Sequence, residues 1–286
     1  MGTSGAYSGS GDTAGKRLRR ELKQWLDDVP LNDDRTEPRD DSDNPQDEPP
    51  ADTSPPQGHL SPDTLLNVIP LLRPRTGGGQ GGDGPGVGGG LGPGGARGPG
   101  TGTRNRGGAH RTAAGFATTA GRAAAAAYAY QTGDATALAR LGLDYAELRA
   151  LGDPLEVTVR IVNAACGPLS DSTIEHEEQR YVAGEIAQWV IEQGEAGATP
   201  TPEEIVRKTI ALIIQEAALS EAGELARQAD RPENTGELTE REIEEVAEAL
   251  AGRAELSVNG PTEDEITQAV EDGIETLRRM RGHGRR

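Results

Sequence analysis

Between Gly77 and Gly108 glycine dominates the chain, broken mainly by proline, arginine and small polar residues. Glycine adds no side chain to a core and loses the most backbone entropy on ordering, so this stretch cannot form the interior of a domain. It is not a phosphate-binding loop, because neither a preceding buried strand nor a Lys-Ser/Thr pair accompanies it. Nor is it collagen, since glycine does not recur strictly at every third position. Residues 74–110 therefore read as a flexible linker, and they divide the chain. Before them the sequence is acidic and rich in proline; after them come capped amphipathic helices.

Of the 286 residues, 40 are glycine and 19 proline, concentrated before residue 110. That leaves one domain of about 170 residues, expected over 111–281, with 282–286 as a basic tail. Aromatic content is 3%, so its core must be built from alanine, valine, isoleucine and leucine. Ala113 to Thr132 is alanine-rich, and Gly115 and Gly121 would allow close helix packing. Shorter helices are expected over Ala135 to Leu141 and Tyr145 to Leu151. Asp153 caps a further helix, with Pro154 in its first turn and Leu155, Val157, Val159, Ile161 and Val162 leading to Cys166. Four Ser/Thr residues precede a Glu by three positions: Ser172 with Glu175, Thr201 with Glu204, Thr239 with Glu242, and Thr262 with Glu265. Each fits a capping box, in which hydroxyl and carboxylate satisfy orphan amides reciprocally. Apolar stripes follow them, the first through Ile174, Tyr181, Val182, Ile186, Trp189 and Val190. No segment reads clearly as a strand. The expectation is an all-α, compact helical bundle preceded by a long disordered acidic and Gly-rich N-terminal arm.

Within that arm, residues 1–13 form a flexible tail. Over 14–28, Leu18, Leu22, Trp25 and Leu26 fall at helical spacing, opposite a face carrying Lys16, Arg17, Arg19, Arg20 and Lys23. A helix this short is marginal alone, so its stripe needs a docking surface, on its own domain or on a partner. Residues 29–60 have the composition of a solvated, acidic disordered segment. In 61–73, Ser61 caps, Pro62 takes the first helical position, and Leu65, Leu66, Val68, Ile69, Leu71 and Leu72 make an apolar island. Such an island is either a docking segment for a partner or a piece packed on the parent domain.

A formal net charge of -18 repels phosphate backbones, which argues against direct nucleic-acid binding. Cys166 is the sole cysteine, which excludes an intramolecular disulfide and a cysteine-cluster zinc site and suits a reducing, cytoplasmic compartment. No apolar leader and no membrane-length run is present. Ala6 stands where the myristoylation pattern needs Ser or Thr. His176-Glu177-Glu178 lacks the HExxH spacing, so no metal site, cofactor or catalytic constellation is expected, and the chain reads as a non-enzyme.

The opening Met1-Gly2-Thr3-Ser4, the alanine-rich Arg122 to Tyr130, and the run LARLGLDYAELRALGDPLEVTVRIVNAACGPLSDSTIEHE resemble the B component of the Qat anti-phage defence system. The resemblance covers the first residues and, loosely, the region from about residue 111. The turn CGPLSDST departs from the family pattern, and the arm is longer and more acidic. The resemblance implies a non-enzymatic adaptor or substrate protein in a bacterial defence operon that also carries an ATPase, a QueC-like enzyme and a TatD-like nuclease. QueC-like enzymes make deazaguanine bases, and the family reading has such a base attached to a partner's N-terminus. Gly2, exposed by methionine removal, is then the implied modification site, with Thr3 and Ser4 as recognition residues. On this reading Leu18, Leu22, Trp25, Leu26, Leu65, Leu66 and Ile69 meet partners. A second reading is a structural scaffold docking partners through Trp25 and Leu65–Leu72. A third, a DNA-associated regulator using Arg278, Arg279, Arg281, Arg285 and Arg286, is opposed by the net acidity.

Overall fold

The computed structural model of the chain describes residues 13–28, 59–73, 111–167, 174–228 and 235–283. The described residues are all-α. They form ten α-helices and one 3-10 turn, and their only strand-like feature is an isolated bridge between Arg73 and Thr112.

The hub is α3 (Ala113–Thr132). Thr112 starts it by accepting from the amide of Gly115 at 3.1 Å, and Gly133 ends it at φ 75, a left-handed conformation that glycine adopts without strain. Phe116 and most of its alanines are buried. Small side chains all round the helix let α6 (Pro154–Cys166), α7 (Ile174–Glu195) and α10 (Glu263–His283) pack against it. At Gly121 a Cβ would lie 3.2 Å from the backbone nitrogen of Thr267 and 3.3 Å from its Cα, so α10 crosses α3 at a distance only glycine permits. The outer layer adds α4 (Ala135–Arg140), α5 (Tyr145–Leu151) and α9 (Thr235–Ala251), while α8 (Pro202–Gln228) is itself largely buried, with Ile205, Val206, Ile210, Ile213 and Ile214 inside and α3, α7, α9 and α10 against it. Asp134, Asp144 and Asp153 cap α4, α5 and α6 in turn.

Two expected capping boxes form as predicted. Thr201 and Glu204 exchange amide bonds of 2.7 and 3.3 Å, and Thr262 and Glu265 do so at 3.3 and 3.4 Å. Ser172 lies outside the described residues. The fourth pairing is a correction: α9 already begins at Thr235, so Thr239 is a buried interior residue and not a cap. Glu242 instead accepts from the amide of Leu60 at 2.7 Å and contacts His59 Nδ1 at 3.0 Å.

The segments before the glycine-rich stretch belong to the same core. Helix α1 (Thr13–Asp28) packs on α8, α2 (Pro62–Leu65) on α9, and the 3-10 turn Ile69–Leu71 on α10. Leu18, Leu22, Leu65, Val68, Ile69 and Leu72 are fully buried in that contiguous core. Each such burial contributes roughly 1.5–3 kcal/mol relative to exposure. The amide of Arg73 donates to Arg111 O at 2.9 Å and the amide of Ala113 to Arg73 O at 3.0 Å. This clamp holds residues 73 and 111, the two ends of the intervening stretch, together at one point of the body. Closure entropy grows only with the logarithm of loop length, so the apolar residues of 60–72 readily offset it.

A second correction concerns α6 and α7. Leu155, Val159 and Tyr181, expected on core stripes, are 64%, 49% and 47% exposed.

Candidate functional site

Gly2, Thr3 and Ser4 lie outside the described residues. The remaining residues expected to meet partners are brought together, but against the chain's own body. Leu18, Leu22, Trp25, Leu26, Leu65 and Ile69 are buried, and Leu66 is half-buried against the core. The amphipathic stripe therefore docks in cis, and those side chains offer no free surface in this state. The surfaces that receive them belong to α8, against which α1 packs, and to α9, against which the helix Pro62–Leu65 packs.

Where α1 meets the body, charges are buried. Arg111 forks onto Glu178, Nε to Oε2 at 2.7 Å and Nη2 to Oε1 at 2.6 Å, and Nη2 also donates to Ser220 Oγ at 2.5 Å. Ser220 Oγ in turn donates a hydrogen bond to Glu178 Oε1 at 3.0 Å. Glu221 holds Arg19 of α1 at 2.6 Å and lies 3.6 Å from Arg111 Nη1. Arg111, Glu178 and Glu221 are all buried, so each charge depends on its neighbours for compensation. Glu216, one turn earlier on α8, has its carboxyl pushed up to about 7, first by burial and then by the charge of Glu178. The cluster joins α1, the start of α3, α7 and α8 in one network.

Polar contacts extend this seam along residues 59–73. Buried Asn67 donates to Glu21 at 2.8 Å and accepts from Arg281 Nη2 at 3.2 Å, while Arg278 Nη2 donates to Leu72 O at 2.8 Å. Two arginines that the DNA-facing reading would use are thus committed to holding the arm.

The cluster escaped the sequence reading, though a signal was present. Ile174, Glu178, Val182 and Ile186 share one i+4 row, and Glu221 follows Ala217 by four. A glutamate on an apolar row marks a buried charge in need of a cation. Cys166 packs partly against the core, where burial pushes its thiol up and away from a reactive thiolate. His176 is exposed. No group of three or more metal-ligating side chains occurs among the described residues.

A concavity of about 250 Å³ lies where α1 meets residues 59–64, beside Trp25, His59 and Leu60, and two others lie away from it. One, of about 210 Å³, lies between α3, α4 and the start of α10; of its carboxylates, Asp134 caps α4 and Glu263 pairs with Arg122 at 3.1 Å. The other, of about 390 Å³, runs between α6 and α7 past Leu155, Val159 and Tyr181. No helix among the described residues is long and apolar enough to cross a membrane. No protein-family model, no curated protein and no solved structure matches the chain.

Proposed function

We propose that the chain is a non-catalytic adaptor or substrate protein of a Qat-type bacterial anti-phage assembly, working in the cytoplasm beside an ATPase, a QueC-like enzyme and a TatD-like nuclease. Its N-terminal end is presented to the QueC-like partner for modification at Gly2, with Thr3 and Ser4 read by that enzyme. The observation that supports this reading is the anchoring of α1. Buried Leu18, Leu22 and Leu26 and the 2.6 Å Arg19–Glu221 bond fix the point from which residues 1–12 depart. Twelve residues span at most about 40 Å, which bounds the distance between the body and an enzyme that engages Gly2. Anchoring turns the arm from a free tail into a presented one, because the partner meets the end at a defined place on the body.

Intact mass spectrometry of the protein expressed alone and with its operon neighbours tests the reading. The expected result is an added mass on the peptide beginning at Gly2, dependent on the QueC-like enzyme. An unadorned Gly2 peptide in both preparations would refute it.

A further inference from the structure

We infer that the groove between α6 and α7 is a docking site for a basic amphipathic helix of a partner protein. The inference is independent of what happens at Gly2.

The argument starts from an unusual spacing. Leu155, Val157, Val159 and Ile161 alternate, and on a helix residues two apart point about 200° away from one another. Alternation thus gives α6 two apolar rows on opposite sides. Val157 and Ile161 are buried at 1% and 0% exposure, whereas Leu155 and Val159 remain open. Tyr181 of α7 faces the same groove. Of the five large apolar side chains exposed among the described residues, these are three. A single exposed leucine is ordinary; three along one groove form a patch. The floor is open as well, since a Cβ at Gly184 would meet nothing within 4 Å.

Charge selects the occupant. Glu177 and Glu185 line the groove. Burial, together with Glu192, Glu244 and Glu240, pushes the Glu185 carboxyl up, and burial, Glu185 and further glutamates push up the Tyr181 hydroxyl. Lys208 opposes this for Glu185 but is itself held by Glu244 and Glu248 at 3.5 and 2.5 Å. Arg180, bonded to the neutral amide of Asn163, keeps its charge in the groove, but the two glutamates outnumber it there. The local field is one that an incoming cation would relieve. A groove between two packed helices, with Leu155 and Val159 on one wall and Tyr181 on the other, matches a helix presenting residues at i, i+4 and i+7.

The chain itself lacks such a helix to spare. Residues 29–58 carry nine acidic residues against two arginines, and 74–110 offer only Val87 and Leu91 as large apolar groups. The apolar stripe of α1, the chain's basic helix, is already buried against its own body. A second copy would bring the same glutamates and a net charge of -18.

Fluorescence anisotropy on the full-length chain tests the site, with a labelled synthetic helix bearing leucines on one face and lysines on the other. Its controls are a glutamate-for-lysine twin and a scrambled peptide of identical composition. The lysine helix is expected to bind, more weakly as salt rises, while both controls fail. The double variant Leu155→Gln/Val159→Gln should weaken binding about tenfold or more with an unchanged thermal midpoint, because both side chains are exposed. Glu185→Lys should weaken the lysine helix alone. Equal binding of the scrambled peptide, or no binding of the lysine helix at about 1 mM, overturns the proposal. So does a lowered melting temperature in the double variant, which would reveal an occupant from the same chain, or a dimer that the variant dissolves.

Discussion

Helices α1 and α6 differ in what covers their apolar rows. The stripe of α1, set apart from the body by a glycine-rich stretch, needs a cover that its spacing leaves open between a partner and the chain's own domain, and Leu18 and Leu22 are 0% exposed in the chain's own core. The apolar residues of α6, inside the predicted bundle, read as core, yet Leu155 and Val159 face out. Position along the chain therefore says little about burial here. Spacing says more: an i, i+4, i+7, i+8 stripe folds onto one surface, while alternation on a helix splits into two rows, and only one can face the interior.

The sharpest way to break this comparison is at the charges that bind α1 to the body. Arg111→Ala leaves Glu178 and Glu221 buried without their shared cation, and the expected loss is about 3–5 kcal/mol, read as a large fall in chemical-denaturation midpoint. Next comes a matched pair of truncations. Leu22→Ala should cost about 2–5 kcal/mol through lost burial and a cavity, and Leu155→Ala less than about 0.5. Similar costs for the two would dissolve the distinction between α1 and α6.

A smaller effect reports on the interior of the seam. The carboxyl of Glu216 rises from 4.5 to about 7 on folding, so the folded chain retains a proton that the unfolded chain releases. Its favourable contribution is complete below pH 4.5 and is lost as pH climbs through about 7. Glu216→Gln should thus raise the thermal midpoint at pH 8, on the order of 5 °C, and leave it nearly unchanged at pH 4.5. A local change away from the seam, Thr201→Ala, should cost about 1 kcal/mol, the worth of a lost cap, wherever α1 sits.

What could be read in advance divides by range. The limits of α3 and the caps at Thr201 and Thr262 were legible, because each depends on residues three or four apart. Thr239–Glu242 has the same local pattern but fails, since helix continuation back to Thr235 and the distant Leu60 amide claim its two members. The docking of α1 was not legible: the Arg19–Glu221 bond joins residues 202 positions apart. Periodicity identifies a sticky face without naming what covers it. Of the buried cluster, the misplaced glutamates on apolar rows were visible, but the cation that compensates them comes from Arg111, just before the cap of α3, where no periodic pattern applies.

The central claim is that the glycine-rich stretch joins two pieces of one core instead of tethering an arm to a finished domain. Co-expressing residues 1–90 and 91–286 as separate chains tests it most directly. The account predicts that the two fragments purify together in equal amounts and melt in one transition, while 91–286 alone, stripped of α1 and the 59–73 segment, is markedly less stable. Fragments that separate on a sizing column, with 91–286 melting at the temperature of the intact chain, would contradict it.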